Sequence, residues 1–193
     1  MYILSFLVFV FVTSFTPGPN TITAMALATN YGLKKTARFS LGVGLGFFLL
    51  TLLSSFFNRT LIKYLPIVEM PLAILGVGYM LYLAYKILTS KASNEKMKKT
   101  KSFFTIGILL QFVNPKGILF SITVVTTFIL PYYETAINYL LFSMFLGFVG
   151  LVSTFTWSLF GTILQKYLVQ YRKPFNIIMS LLLVYSALSI VLA

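Results

Sequence analysis

Two proline-interrupted stretches combine residue types that could bind a small charged solute within an apolar chain. They are Thr16-Pro17-Gly18-Pro19-Asn20 and Gln111-Phe112-Val113-Asn114-Pro115-Lys116-Gly117. Proline removes a backbone N–H and clashes with the preceding helical turn, but it suits the first position of a restarting helix. Each stretch is therefore predicted to end one helix and begin another, with Asn114, and more weakly Gly18, as the N-cap. The free N–H groups at such a start attract a carboxylate.

The two breaks lie in corresponding places of the two halves, and the sequence leaves open whether they form one shared site. Asn20 and Asn114 are separated by close to half the length of the chain. Paired breaks of this kind are the best indication in a sequence of an inverted-repeat transporter with a site at the membrane midplane. A single proline kink would be structural, whereas two matched breaks favour function. The candidate substrate-binding residues are Pro17, Gly18, Pro19, Asn20, Thr21, Thr23, Gln111, Asn114, Pro115 and Lys116.

Lys116 is the most informative single residue. It lies about 20 Å into its predicted span at 1.5 Å per residue. A charged side chain near the bilayer centre costs about 2.5–3.5 kcal/mol on insertion scales and is a functional-site hypothesis by default. Proton exchange on Lys116 is therefore one hypothesis. The alternative is a lysine that snorkels or supports the fold by donating to nearby carbonyl groups.

Composition excludes several classes of function. Of the 193 residues 59% are hydrophobic, and only 15 basic and 3 acidic residues are present, which is too little charge to cover a soluble domain. The chain has no cysteine and no histidine, so we predict no thiolate nucleophile, no disulfide, no cofactor and no metal site. Most of the basic residues lie in short clusters between apolar segments, which argues against the broad basic face of a nucleic-acid-binding protein.

The apolar segments predict an all-α, polytopic membrane protein with six transmembrane helices, each long enough to cross a bilayer. We expect a single transporter domain over 1–193, built as two inverted three-helix repeats of about 1–90 and 103–193 with a basic cytoplasmic loop at 90–102. The predicted spans are roughly 2–29, 38–57, 65–88, 103–130, 136–165 and 174–192.

Charge distribution predicts the orientation. Most of the basic residues lie in or beside the loops after the first, third and fifth spans, whereas Arg59 and Lys63 lie in the loop after the second. Positive charge is retained on the cytoplasmic side. We therefore expect both termini outside the cell, in a multi-pass protein of the plasma membrane.

The stretch Gly42–Gly46 in the second span contains a GxxxG spacing, which allows close approach of another helix. Packing inside the bundle is the default interpretation. The alternative is a seam between two copies of the chain, which makes a homodimer a candidate assembly.

These motifs resemble the LysE/RhtB family of amino-acid exporters over essentially the whole chain. Both broken stretches are part of the resemblance, together with Gly42–Gly46 and with Leu75–Tyr79 leading into Leu83–Lys86. Within the family the sequence is most similar to the cysteine/O-acetylserine exporter group. The stretches that carry this similarity are Pro17–Asn20, Leu110–Asn114, Thr127–Pro131 and Leu181–Tyr185.

The resemblance implies secondary efflux of neutral or basic amino acids from the cytoplasm, by exchange with protons. The lysine exporters of the family commonly carry Asp where this chain has Asn20. The missing negative charge favours a small neutral substrate, such as cysteine, O-acetylserine, threonine or homoserine. We expect the substrate carboxylate to meet Lys116 or a helix start, with hydrogen bonds from Asn20, Gln111 and Asn114.

Other functions stay open at this stage. An intramembrane enzyme is disfavoured because it needs a nucleophile, base or metal that the composition hardly supplies. A non-transporting membrane scaffold would carry the breaks as simple kinks. An exporter of metal ions is disfavoured by the shortage of soft or acidic ligands.

Overall fold

The fold is helical throughout the part of the chain that the structure describes. The structure is a computed structural model that describes residues 2–89, 103–168 and 172–191. The predicted basic loop 90–102 lies outside these ranges. The helices are α1 (Tyr2–Phe15), α2 (Pro19–Tyr31), α3 (Leu33–Phe56), α4 (Asn58–Leu88), α5 (Phe103–Val113), α6 (Pro115–Val124), a π-helical turn (Val125–Ile129), α7 (Ala136–Leu168) and α8 (Arg172–Val191).

Both proline-containing stretches interrupt their helices, as predicted. The axes of α1 and α2 differ by 46°, and those of α5 and the α6 segment by 67°. Pro19 and Pro115 are the first residues of α2 and α6, and Gly18 and Asn114 occupy the N-cap positions. The second break is narrower than the predicted stretch, because helix continues to Val113 and restarts one residue later.

Length and composition qualify several helices as membrane spans. Within the described ranges, α3 and the segment Ala136–Ile163 of α7 each qualify alone, and each bent pair qualifies when it is counted as one span. The apolar part of α8, Lys173–Tyr185, is shorter. The structure thus gives up to four candidate spans among these residues, and the count of six stays a prediction. Large apolar side chains such as Ile67, Met70 and Leu181 are exposed, as expected for a surface that faces lipid.

The predicted loop between the second and third spans is mostly helical. Helix α4 begins at Asn58, so only Phe57 separates it from α3. Residues 58–64 contain neither proline nor glycine, so nothing in this segment stops the helix from extending beyond its apolar part.

Helices α3 and α7 cross in an antiparallel, reciprocal contact. A Cβ added to Gly44 would lie 3.0 Å from the Gly147 carbonyl oxygen, and a Cβ added to Gly147 would lie 2.8 Å from the Gly44 carbonyl oxygen. The rings of Phe56 and Tyr139 meet at 5.6 Å further along the pair. Two backbones can approach this closely only where side chains are absent.

The glycine run of the second span packs inside the bundle. A Cβ on Gly42 would overlap the Phe104 carbonyl oxygen of α5, and one on Gly46 would lie 2.6 Å from Gln111 Cγ. Gly107 of α5 makes the reciprocal approach to the backbone of Phe39. Neighbours in the same chain therefore fill this surface, which makes it unsuitable as a seam between two copies.

The α3 and α7 sequences share a pattern of small and hydroxyl residues. Four small or hydroxyl residues of α3 recur in α7, each 103 positions further along the chain, and all eight are buried. Ser55 and Ser158 even make the same hydrogen bond, to the carbonyl oxygens of Thr51 and Thr154 at 3.0 and 2.8 Å. The pairs are Ser40 and Ser143, Gly44 and Gly147, Thr51 and Thr154, and Ser55 and Ser158.

Candidate substrate site

The two helix breaks meet through three buried amide side chains. Asn20 Nδ2 donates to Gln111 Oε1 at 3.0 Å, and Asn114 Nδ2 donates to Asn20 Oδ1 at 3.3 Å. We call Asn20, Gln111 and Asn114 the amide triad. In the sequence Asn20 is 91 positions from Gln111 and 94 positions from Asn114, so these hydrogen bonds connect the first break directly to the second.

The amide triad keeps unused hydrogen-bonding capacity. Among the described residues, Gln111 Nε2 and Asn114 Oδ1 are buried and have no partner. A buried polar atom left unpaired costs about 1–3 kcal/mol. One donor and one acceptor are therefore available to a bound solute or an ordered water.

Asn114 lies where predicted, but its side chain does not cap α6. Its backbone is extended, with φ −90° and ψ 103°, and no side-chain capping hydrogen bond forms. The amide is turned towards Asn20 instead. At the other break Thr21 takes over the capping, because its Oγ1 accepts from the Gly18 N–H at 2.9 Å.

The last carbonyl groups of α1 are satisfied by side chains from other helices. Ser153 Oγ donates to the Ser14 oxygen at 2.7 Å, and Trp157 Nε1 donates to the Phe15 oxygen at 3.3 Å. These oxygens lie at a helix end, where the following turn lacks donors, and in lipid every such group needs a partner. Trp157 thus supports the first break.

Lys116 completes this set and crosses from the second break to the first. Its Nζ donates to the Thr16 carbonyl oxygen at 3.2 Å. The partial negative charge at the end of α1 favours a cation there. The lysine lies against Gly18, where an added Cβ would come within 3.1 Å of Nζ and 3.2 Å of Cδ. Glycine at position 18 therefore makes room for the lysine.

A cavity lies between the breaks and α7. Among the described residues that line it, Lys116 carries the only charge. The lining residues are Thr13, Ser14, Thr16, Gly18, Pro19, Asn20, Thr21, Phe47, Asn114, Lys116, Gly117, Phe120, Gly150, Ser153 and Thr154.

The predicted site residues divide into three groups. Six of the ten line the cavity, and Gln111 lies behind it, bonded to Asn20. Pro17 is exposed at the break and Pro115 is buried at the start of α6, so both shape the backbone. Thr23 lies outside the lining, buried and with its hydroxyl unpaired among the described residues.

Sequence reasoning missed the wall that α3 and α7 contribute. Phe47, Gly150, Ser153 and Thr154 line the cavity but lie far from either proline-containing stretch. The 103-residue repeat was the signal that could have indicated α7, since Thr154 is one of the repeated residues. Nothing in the local sequence singles out Gly150 or Ser153.

The sequence also matches known proteins along its length. The LysE type translocator family profile matches residues 11–193. A cysteine/O-acetylserine efflux protein from Salmonella paratyphi A is 37% identical over 191 residues, which cover 98% of this chain and 97% of the relative. One from Escherichia coli K12 is 33% identical over 186 residues, which cover 96% and 95%.

No solved structure matches the chain. The family profile covers nearly all of the sequence, and the full-length relatives align from end to end with more than 30% identity. The chain belongs to the LysE type translocator family.

Proposed function

We propose that this protein is a secondary exporter of small neutral amino acids or their derivatives, in the plasma membrane. Cysteine and O-acetylserine are the first candidates, followed by threonine and homoserine. The names of the relatives support the first pair. The observation that carries the proposal is the joining of two broken helices by the amide triad, beside a cavity that holds one lysine.

The site suits the two charged groups that all α-amino acids share. A substrate carboxylate would pair with Lys116, whose ammonium group donates to the Thr16 carbonyl oxygen. The ammonium group would donate to oxygens such as the unpaired Asn114 Oδ1. Among the described residues the lining contains no carboxylate, so a cationic side chain would find no ion-pair partner there, and a neutral substrate is favoured.

The transport cycle would use two inverted halves, 1–90 and 103–193, that rock around this site. The 103-residue repeat and the reciprocal Gly44–Gly147 contact support such a relation, because a two-fold axis through a helix crossing gives each partner the same neighbours. We propose six spans with both termini outside, and exchange of the substrate for a proton carried by Lys116.

Export can be measured in inside-out vesicles with labelled cysteine, O-acetylserine, threonine and homoserine under an imposed pH gradient. Lys116→Met is expected to lower uptake at least about tenfold, because the substrate would lose one hydrogen bond to a charged group. Lys63→Met is the matched control, because Lys63 is exposed and lies over the Tyr64 ring, away from the cavity.

The outcomes separate the proposal from its alternatives. Equal uptake by wild type and Lys116→Met would remove Lys116 from both substrate binding and proton exchange. A membrane scaffold predicts no uptake of any amino acid by the wild type. A metal exporter predicts uptake of a divalent cation, which the same vesicles can measure.

A further inference from the structure

The wall that α7 contributes to the cavity has a notch, which we define by Gly150 and Ser153. Gly150 contributes no side chain there, and Ser153 lies one turn further along the same helix and also lines the cavity. We propose that this notch is the subsite for the substrate's side chain, and that it favours short side chains ending in a hydroxyl or thiol donor, as in cysteine, over the longer ester of O-acetylserine. The inference rests on the proposed function, in which Lys116 and the amide triad bind the carboxylate and ammonium groups of the amino acid. The notch would bind the remaining part, its side chain.

The internal repeat shows that the notch is a departure from symmetry. Ser40, Gly44, Thr51 and Ser55 of α3 are all kept in α7 at the 103-residue offset. Between them, the positions that correspond to Gly150 and Ser153 are Phe47 and Leu50. Thr154 is repeated and lines the cavity, but at the other two wall positions α7 has a glycine and a hydroxyl in place of two large apolar side chains.

Phe47 limits the depth of the notch. A Cβ on Gly150 would lie 2.7 Å from Phe47 Cδ2, so the ring sits directly over the glycine. Phe47 is buried and meets Phe120 edge to face, with centroids 5.7 Å apart. Since both rings line the cavity, they form a packed apolar wall that excludes long side chains.

The hydroxyl groups of the notch act as acceptors. Ser153 Oγ uses its hydrogen on the Ser14 carbonyl oxygen at 2.7 Å, and Thr154 Oγ1 can use its hydrogen on the Gly150 oxygen at 2.9 Å. Both oxygens keep lone pairs. A hydroxyl or thiol can donate to them, whereas the ester of O-acetylserine has no donor and an alanine methyl group has none.

The test is competition in vesicles, in which unlabelled amino acids inhibit uptake of one labelled substrate. For Ser153→Ala we expect inhibition by serine and cysteine to weaken about fivefold relative to inhibition by O-acetylserine and alanine, because the loss of one hydrogen bond corresponds to about this factor. For Gly150→Ala we expect inhibition by O-acetylserine, the largest of the four amino acids, to weaken about tenfold relative to inhibition by cysteine. One additional methylene group in a filled pocket has an effect of about this size.

The readout is a ratio between substrates, so a purely structural loss of activity does not move it. Ser158→Ala is the matched control for Ser153, because Ser158 is buried on the same helix, bonded to the Thr154 carbonyl oxygen and absent from the lining. If Gly150→Ala fails to fold because of Phe47, the double variant Gly150→Ala with Phe47→Leu relieves the overlap, and it is compared with Phe47→Leu alone, so that both proteins lack the ring in the cavity wall.

Unchanged ratios in variants that still transport would overturn the subsite and leave the exporter intact. Absence of uptake by the wild type itself would instead remove the proposed function. A change in the ratios with Ser158→Ala equal to that with Ser153→Ala would also overturn the subsite, because the effect would then be general to α7.

Discussion

Gly18 and Lys116 fit together across the two breaks, and each constrains the other. The lysine passes over the glycine to reach the Thr16 carbonyl oxygen at the end of α1. Any side chain at position 18 has to displace the lysine by a few tenths of an ångström, because the contact distances would be 3.1 and 3.2 Å. The end of a lysine can move, so the fold should tolerate the change better than the site does.

Gly18→Ala is therefore expected to lower amino-acid uptake at least about threefold while leaving the melting temperature in detergent nearly unchanged. The ammonium moves by only a few tenths of an ångström, so its hydrogen bond to the Thr16 oxygen is stretched and keeps part of the about 1.5–3 kcal/mol that a charged hydrogen bond contributes. Gly78→Ala is the matched control, since an added Cβ there meets nothing within 4 Å. Full uptake by Gly18→Ala would contradict a role for the position of Lys116.

Asn20 determines the charge preference of the site in this interpretation. Asn20→Asp removes the donor to Gln111 Oε1 and adds a negative charge next to that oxygen. We expect uptake of neutral amino acids to fall at least about tenfold, because a buried acceptor loses its donor. We also expect lysine to become a competitor, since the new carboxylate attracts a cation. Competition by lysine that is equal in wild type and variant would argue against this charge selection.

At the scale of the elements, glycine contacts determine where helices approach closely. Helices α3 and α5 meet through Gly42, Gly46 and Gly107, with neighbouring backbone or Gln111 in the space of the missing side chains. Elsewhere aromatic rings lie between the helices. The ring centroids of Phe6 and Phe142 are 5.6 Å apart, and those of the stacked Phe9 and Phe120 are also 5.6 Å apart. Ring contacts can adjust, whereas a contact between two backbones cannot.

Gly42→Ala is expected to destabilise the protein by about 1–3 kcal/mol or more, since overpacking against a rigid backbone forces the helices apart. The measurement is the fraction of protein that stays monodisperse after heating in detergent, compared with Gly78→Ala. Gly42→Ala should therefore lower the melting temperature, whereas Gly18→Ala should lower uptake with little change in melting temperature. An unchanged melting temperature would show that α3 and α5 can separate at little cost.

At the scale of the whole molecule, orientation can be tested directly because the chain has no cysteine. Single cysteines at Glu134 and Lys35, both exposed, report on opposite predicted sides. In intact cells an impermeant maleimide should label Glu134→Cys and leave Lys35→Cys unlabelled until the cells are permeabilised. The reverse labelling pattern would place both termini in the cytoplasm and reverse the proposed orientation of the protein in the membrane.

The sequence was informative where local chemistry is decisive. It predicted the helical fold, both breaks, and the first residues Pro19 and Pro115 of the restarting helices, because proline acts on its own turn whatever surrounds it. It also named Asn20, Gln111, Asn114 and Lys116, which the fold brings together. Polar residues are costly in an apolar segment, so each one stands out.

The tertiary structure alone decided how these groups are used. Asn114 could cap its own helix or face Asn20, and the packing of the two breaks against each other selects Asn20. Gly150, Ser153 and Phe47 carry no local signal, because glycine, serine and phenylalanine are ordinary in a membrane helix. They become a cavity wall only when α7 packs beside α1 and α3, which depends on contacts between residues more than one hundred positions apart.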